Sequence, residues 1–234
     1  MKKCAESQKR FSEAEMTEAV IVSGGNIQKD FALDFLRKNK NKDHYMIAAD
    51  RGLEFFMETG LVPDAAVGDF DSLSPEGLAY LESLENTEIC RLQPEKDDSD
   101  TQHTVNYAIE KGAEKILILG ATGSRIDHLL ANLELLLLGQ KKGAEISLVD
   151  KNNYITLIKS GTVLQKEEQF GTYVSFFPLG GDVTGLTLTG FRYPLRRHCL
   201  KAEDCGLTVS NEITEGSAKV EFESGSLLML MTRD

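Results

Sequence analysis

Between residues 19 and 150 the apolar positions switch repeatedly between two periods. AVIVSGG (19–25) is a continuous apolar run closing on glycines, the pattern of a strand buried on both faces. DFALDFLRKN (30–39) places Phe31, Leu33, Phe35 and Leu36 at helical spacing. HYMIAAD (44–50) predicts a strand, and RGLEFFMETG a short helix closed by Gly60. AAVGDF (65–70) predicts a third strand, after which Ser74, Pro75 and Glu76 read as cap, first turn and start of a helix. TEICRL, a helix from about 99 to 111, KILILGA, a helix from about 125 to 138, and AEISLVD complete the series. Strand and helix alternating in this way predict an α/β fold: a mostly parallel, Rossmann-like sheet with helices on both faces.

After residue 150 the helical period disappears. YITLIKSGTVLQK, GTYVSFFPLGG, VTGLTLTGFRYPL, GLTVSNEI and AKVEFESGSLLMLMT are β-type runs divided by Gly, Pro and Asn or Asp turns. They predict a C-terminal antiparallel β-sandwich. The chain thus divides into a polar N-terminal segment (1–18) expected to fray, an α/β domain (19–150) and a β domain (151–234). The change at Lys151-Asn152-Asn153 is a shift of composition with no long linker, so the two halves are expected to pack together.

Composition narrows the function. The 234 residues are 41% hydrophobic and 27% charged, an ordinary globular balance, and the net charge of −11 argues against a nucleic-acid partner. A small phosphorylated ligand remains compatible, since it needs only a local metal or a few basic groups. Cys4, Cys90, Cys199 and Cys205 lack a disulfide-framework spacing, which fits a reducing compartment. His198, Cys199 and Cys205 lack a fourth zinc ligand at a usual spacing and read as an exposed loop, and Arg192, Arg196, Arg197 and His198 read as solvated surface. The N-terminus has no apolar core of a signal peptide, and no apolar run approaches ~18 residues, so no membrane span and a cytoplasmic location are expected.

The candidate chemistry lies at the carboxyl ends of the predicted strands, where open α/β sheets bind ligands. Asp50 ends the second strand. Asp69 and Asp71 end the third, in VGDFDS, and would point to one side if the strand continued. QPEKDDSD follows the fourth strand with Asp97, Asp98 and Asp100, and GATGSRIDH follows the fifth with Arg125, Asp127 and His128. Asp50 could equally cap the next helix, and Ser99 with Gln102, or Ser124 with Asp127, could form capping boxes. The Asp69/Asp71 pair has no such structural use, because Ser74 already caps the helix that follows. Two adjacent carboxylates call for a cation, and Mg²⁺ takes one or two carboxylates plus substrate phosphates. The GATGSR turn offers amides and a helix N-terminus to an anion, with Arg125 as a clamp, although no GxxxxGK[ST] sequence is present.

In order and spacing, AADRG, GDFDS, QPEKDDSD, GATGSRIDH and the pair GFRYPL and GLTVSNE (206–212) resemble the thiamine pyrophosphokinase family over roughly residues 45 to 215. The resemblance implies Mg²⁺-dependent transfer of pyrophosphate from ATP to thiamine, giving thiamine diphosphate and AMP. Asp69, Asp71 and Asp100 match the metal-holding carboxylates, with Asp71, Asp100 and Asp127 as the catalytic set. Asp50, Asp97, Ser99, Gly123, Ser124, Arg125 and His128 fall at nucleotide-binding positions. Ser99 stands where the family usually has threonine, Gln102 where many members have glutamate, and Ser124 where the motif has its second glycine. Ser210 and Asn211 match a thiamine-contacting pair; from the residues alone they read as a turn. The hydroxyl proton falls to Asp100 or Asp127. A homodimer with the thiamine site near its interface is implied as well. This chain has no tryptophan, so any surface stacking on thiamine comes from Phe, Tyr or Leu. Two other readings are a pyrophosphokinase for a different alcohol, such as a hydroxymethylpterin, and a non-catalytic nucleotide or thiamine sensor. A dinucleotide oxidoreductase fits poorly, since no GxGxxG follows the first strand.

Overall fold

The computed structural model describes residues 18–38, 44–93, 99–123, 125–204 and 206–234. Asp97, Asp98, Ser124, Cys4, Cys205 and nearly all of the polar N-terminal segment lie outside them. Through the first half, strands and helices alternate: β1 (Glu18–Val22), α1 (Lys29–Lys38), β2 (Tyr45–Ala49), α2 (Leu53–Thr59), β3 (Ala65–Gly68), α3 (Pro75–Ser83), β4 (Glu88–Arg91), α4 (Asp100–Glu110), β5 (Lys115–Leu119), α5 (Ile126–Lys142) and β6 (Glu145–Val149). Seven strands follow: β7 (Asn153–Ile158), β8 (Thr162–Gln165), β9 (Tyr173–Pro178), β10 (Val183–Thr189), β11 (Leu195–Leu200), β12 (Ser217–Glu221) and β13 (Leu227–Thr232).

Among the described residues the strands form two sheets. The larger has nine strands in the order β4-β3-β2-β1-β5-β6-β7-β13-β9, the first six parallel and the rest antiparallel. The smaller has the order β11-β10-β12-β8. The change of period near residue 150 therefore marks a reversal of strand direction inside one sheet: β7 pairs directly with β6, through Leu148 and Ile155 among others. The sandwich is made of the far end of the large sheet, β7, β13 and β9, covered by the small sheet. The segment around His198 and Cys199, expected as a loop, is strand β11 at the edge of the small sheet.

Alternation along the strands distributes side chains between layers. In β1, Ala19 and Ile21 pack with Val105 and Ala108 of α4 and Leu135 and Leu136 of α5. Val20 and Val22 face the other way, onto Ala32 of α1 and Leu53, Phe55 and Phe56 around α2. In β13, Leu228 joins the α4–α5 layer, while Leu227, Met229 and Met231 join the sandwich core with Phe176, Leu186, Leu188 and Val220. The small sheet and the α1–α3 layer thus cover the same face of the large sheet, and Tyr154 and Phe170 pack against both. Phe170 meets Phe31 edge-on at 6.2 Å between ring centroids, tying the sandwich to α1.

The order reverses between β1 and β5, so the connections from these two strands run on to opposite sides and leave a crevice at the switch point. Phe176 is fully buried at the centre of the sandwich and meets Phe191 edge-on at 5.6 Å. Phe176→Ala is expected to lower unfolding stability by about 3–5 kcal/mol, measured by denaturant titration. A loss below about 1 kcal/mol would mean that this core collapses around the gap instead of keeping it.

Candidate active site

Asp50 leaves β2 in the left-handed region (φ 45°) beside Gly68, the last residue of β3. A Cβ at Gly68 would stand 2.9 Å from the Asp50 Cα, so a side chain there would push Asp50 out of its turn. That is the physical reason for the glycine in GDFDS. The Asp50 carboxylate then reaches across to the next loop, accepting from Phe70 N at 3.2 Å and from Ser72 Oγ at 2.5 Å. It caps no helix, since α2 has Gly52 as its N-cap residue and no side-chain cap. The helix-cap role that the sequence left open for Asp50 is therefore not the one it has here.

The Asp69/Asp71 pair is also built differently from the expected strand alternation. β3 ends at Gly68, and Phe70 turns with φ 62°. Its ring drops into the core, 2% exposed, and the flanking carboxylates are left at the surface. Carboxylate oxygens of Asp50, Asp69 and Asp71 lie within 4.8 Å of one another. Repulsion from Asp69 above all, with smaller contributions from Asp50 and Asp100, pushes the Asp71 carboxyl above its ordinary pKa. Asp100, expected in the metal set with Asp69 and Asp71, stands outside this trio and adds its field from the first turn of α4. Asp50 supplies the third oxygen of the trio. Three oxygen donors so close suit a hard divalent cation.

The remaining strand-end positions flank a crevice of about 890 Å³ lined by Gly24, Asp50, Ser99, Asp100, Gly123 and His128, among others. Ser99 caps α4 by accepting from Gln102 N at 3.2 Å. At the switch point itself the loops after β1 and β5 lie back to back. Gly25 N donates to Gly120 O at 3.0 Å, and a Cβ on Gly25 would fall 2.1 Å from that oxygen. Two residues that sequence reasoning passed over hold the β5–α5 turn. Buried Asn132 donates to Ala121 O at 2.8 Å, and Thr122 Oγ1 donates to Asp150 Oδ2 at 2.5 Å. The only sequence signal for either was position, Asn132 one and a half turns into α5 and Asp150 at the end of β6.

Arg125 and Asp127 are brought together, but on each other. Arg125 donates through Nε at 3.2 Å and Nη2 at 2.5 Å to the two Asp127 oxygens. This bidentate contact holds the Asp127 carboxyl down to about 2. α5 takes Arg125 as its N-cap residue, with no side-chain cap; the expected Ser124/Asp127 box involves Ser124, which lies outside the described residues.

In the sandwich, Ser210 (φ 54°) is exposed, and its N–H donates to Ser175 Oγ at 2.9 Å. Asn211 is 1% exposed, and its side chain serves the fold: Oδ1 accepts from Tyr193 N at 2.9 Å and Glu212 N at 3.0 Å, while Nδ2 donates to Tyr193 O at 2.8 Å. The Asn211 side chain is thus already engaged within the sandwich. It fastens GFRYPL to GLTVSNE, and Tyr193, Leu207 and Val209 stand exposed around Ser210. Among the described residues, nothing beyond Asn132 lines the main crevice.

A parallel sheet with an acidic trio and glycine turns at its switch point, extended by a β-sandwich, has the makings of an enzyme for phosphorylated ligands. Two family models match the chain: "Thiamin pyrophosphokinase, catalytic domain" over residues 36–148 and "Thiamin pyrophosphokinase, vitamin B1 binding domain" over residues 161–227. Thiamine pyrophosphokinase of Bacillus subtilis is 35% identical over 188 residues, covering 80% of this chain and 87% of its own. The crystal structure of thiamine pyrophosphokinase from that organism superposes with a TM-score of 0.81 at 31% identity, covering 93% of this chain and 100% of the other. That of thiamin pyrophosphokinase from Geobacillus thermodenitrificans gives 0.77 at 31%, covering 93% and 98%. The chain belongs to the thiamine pyrophosphokinase family and is an enzyme of that family.

The acidic trio carries its own test. Asp69→Asn removes one of the repelling charges, so the metal-free variant is expected to melt at or above the wild-type temperature. The gap should narrow as the pH falls. The Asp71 pKa is raised by folding, so protonation relieves the same repulsion in the wild type. Thermal melts in chelator across pH 4–8 check this, and a variant that melts well below wild type would refute it.

Proposed function

We propose that this enzyme transfers the pyrophosphoryl group of ATP to the hydroxyethyl oxygen of thiamine, with Mg²⁺, releasing AMP. The observation that carries the reading is the convergence of Asp50, Asp69 and Asp71 beside the switch-point crevice in a chain of this family. Mg²⁺ suits this donor set. Asp50, Asp69 and Asp71 would hold it, and when bound it supplies positive charge that offsets both the carboxylates and the polyphosphate.

The chain's own residues do the rest. The Gly120–Gly123 turn, held by Asn132 and Asp150, offers backbone amides to phosphate oxygens. Arg125 and Asp127 are both largely exposed, so exchanging their mutual contact for a phosphate costs little. In the reaction the thiamine oxygen forms a bond to the β-phosphorus as the bond to the α–β bridging oxygen breaks. The hydroxyl proton passes to a carboxylate. Asp100, which lines the crevice, is the candidate for this role, and Asp127 lies outside that lining. Positioning and charge neutralisation, rather than covalent catalysis, account for the rate.

Thiamine itself is assigned to the exposed surface around Ser210. Since that half contributes nothing to the crevice within one chain among the described residues, the two are completed by a second copy. A homodimer is therefore part of the reading. It is supported by the apolar Tyr193, Leu207 and Val209 on the sandwich and by Ile126 and Leu130, 71% and 58% exposed, at the start of α5.

Incubation with MgATP and thiamine should yield thiamine diphosphate and AMP, whereas ADP as the nucleotide product would contradict pyrophosphoryl transfer. Asp71→Asn should keep the fold and lower turnover by roughly 10²-fold or more. It should also lose the rise in melting temperature that Mg²⁺ gives the wild type. A folded Asp71→Asn protein with normal turnover would end the assignment. Sedimentation equilibrium should give twice the chain mass of 25.9 kDa, and a monomer at assay concentration that still turns over would exclude the shared site.

A further inference from the structure

Arg51, next to Asp50, has no role in the reading above, yet it lines the crevice. Its Cα and Cβ sit against the β1–α1 turn: a Cβ on Gly24 would come within 2.9 Å of the Arg51 Cβ. Glu54, one turn on, accepts from Arg51 Nε through Oε2 at 3.1 Å. The other Glu54 oxygen, Oε1, accepts from Ser74 N at 3.1 Å, just beyond the Asp69–Ser72 loop. An ion pair this exposed adds little stability, so its consequence is orientation. Nε is held, and the edge formed by Nη1 and Nη2 has no partner among the described residues. The other Lys and Arg side chains lining the crevice are engaged, Lys29 by Glu58 at 2.5 Å and Arg125 by Asp127.

We propose that Arg51 is a further polyphosphate-binding residue of this site, offering its free guanidinium edge to non-bridging phosphate oxygens, and that Glu54 is the residue that positions it. The proposal rests on the ATP-dependent reading given above. The planar fork matches two phosphate oxygens at once, which a lysine ammonium does not. Because Glu54 also holds Ser74 N, the anion grip and the acidic loop are fixed by one carboxylate, so metal and polyphosphate are presented in a set relation.

The test measures binding of MgATP and of magnesium tripolyphosphate by calorimetry, alongside steady-state kinetics, in Arg51→Gln, Arg51→Lys, Glu54→Gln and the double variant Arg51→Gln/Glu54→Gln. Arg51→Gln should weaken both ligands about tenfold or more, the equivalent of one charge-assisted contact. It should raise KM for ATP and leave KM for thiamine unchanged, with a wild-type melting temperature. Arg51→Lys should recover only part of the loss. Glu54→Gln should weaken binding less than Arg51→Gln and add nothing in the double variant. Wild-type affinity for tripolyphosphate in a folded Arg51→Gln protein overturns the proposal, and additive losses in the double variant overturn the positioning role. Tripolyphosphate separates the two readings. Binding that depends on Arg51, in a protein that forms no thiamine diphosphate, would reject the proposed reaction and leave this site standing.

Discussion

The site depends on one unfavourable interaction, the mutual repulsion of carboxylates held together at the ends of adjacent strands. Asp50, Asp69 and Asp71 bring oxygens within 4.8 Å of one another, and the raised Asp71 pKa registers the cost. Folding alone has no reason to assemble such a group. It persists because the surrounding backbone leaves little choice. Parallel register sets Ala49 against Val67, so the residues that follow each strand emerge side by side. Gly68 lets Asp50 turn in, and the Asp50 carboxylate ties down the Phe70 amide and the Ser72 hydroxyl. Phe70 then anchors the turn in the core from below, with Arg91 over its ring at 5.4 Å. The same carboxylate that suffers the repulsion therefore holds the loop that causes it.

Strained backbone falls at these positions. Four non-glycine residues among those described have positive φ: Asp50, Phe70, Arg197 and Ser210. Two shape the acidic trio and one is the exposed serine assigned to thiamine. Each such residue costs of order 1–3 kcal/mol, and it survives only where neighbouring contacts over-determine it. At Asp50 and Phe70 those contacts are the crossed hydrogen bonds and the buried ring. At Ser210 they are the bond to Ser175 and the buried Asn211 bridge to Tyr193.

Much of the fold was legible because its signals are local and periodic. The αβ alternation, the Ser74 cap with Pro75, and the Gly60 stop of α2 follow from side-chain period and backbone preference. The candidate site was legible as a set of strand-end carboxylates, since a buried strand has no other use for them. What stayed hidden depends on partners distant in sequence. Asp50 could be read as a helix cap, because the acceptor role that decides the matter involves Phe70 and Ser72, about twenty residues on. Asn211 read as part of a turn, and only the approach of Tyr193, 18 residues earlier, shows its amide turned inward. Nor does the sequence tell a separate sandwich from a sheet that continues. β6 and β7 have the same composition in both cases, and the pairing of Leu148 with Ile155 alone distinguishes them.

That continuity bears on how the two halves cooperate. A sandwich joined by a flexible linker would leave Ser210 free to move relative to its own crevice. Here β7, β13 and β9 are hydrogen-bonded into the sheet that carries β1 and β5, and Phe170 packs with Phe31, Phe35 and Tyr154 across the junction. Arg233 lies 4.6 Å over the Phe170 ring and closes the same cluster. Within one chain the crevice and the Ser210 surface are therefore fixed in relation to each other, and a hinge between them would require breaking β6 from β7. Rigid-body closure of a chain's own sandwich over its own crevice is thus an expensive way to join nucleotide and acceptor. Docking two rigid copies, as proposed above, would join them without deforming either, and that is the physical ground for proposing a shared site over a closing one.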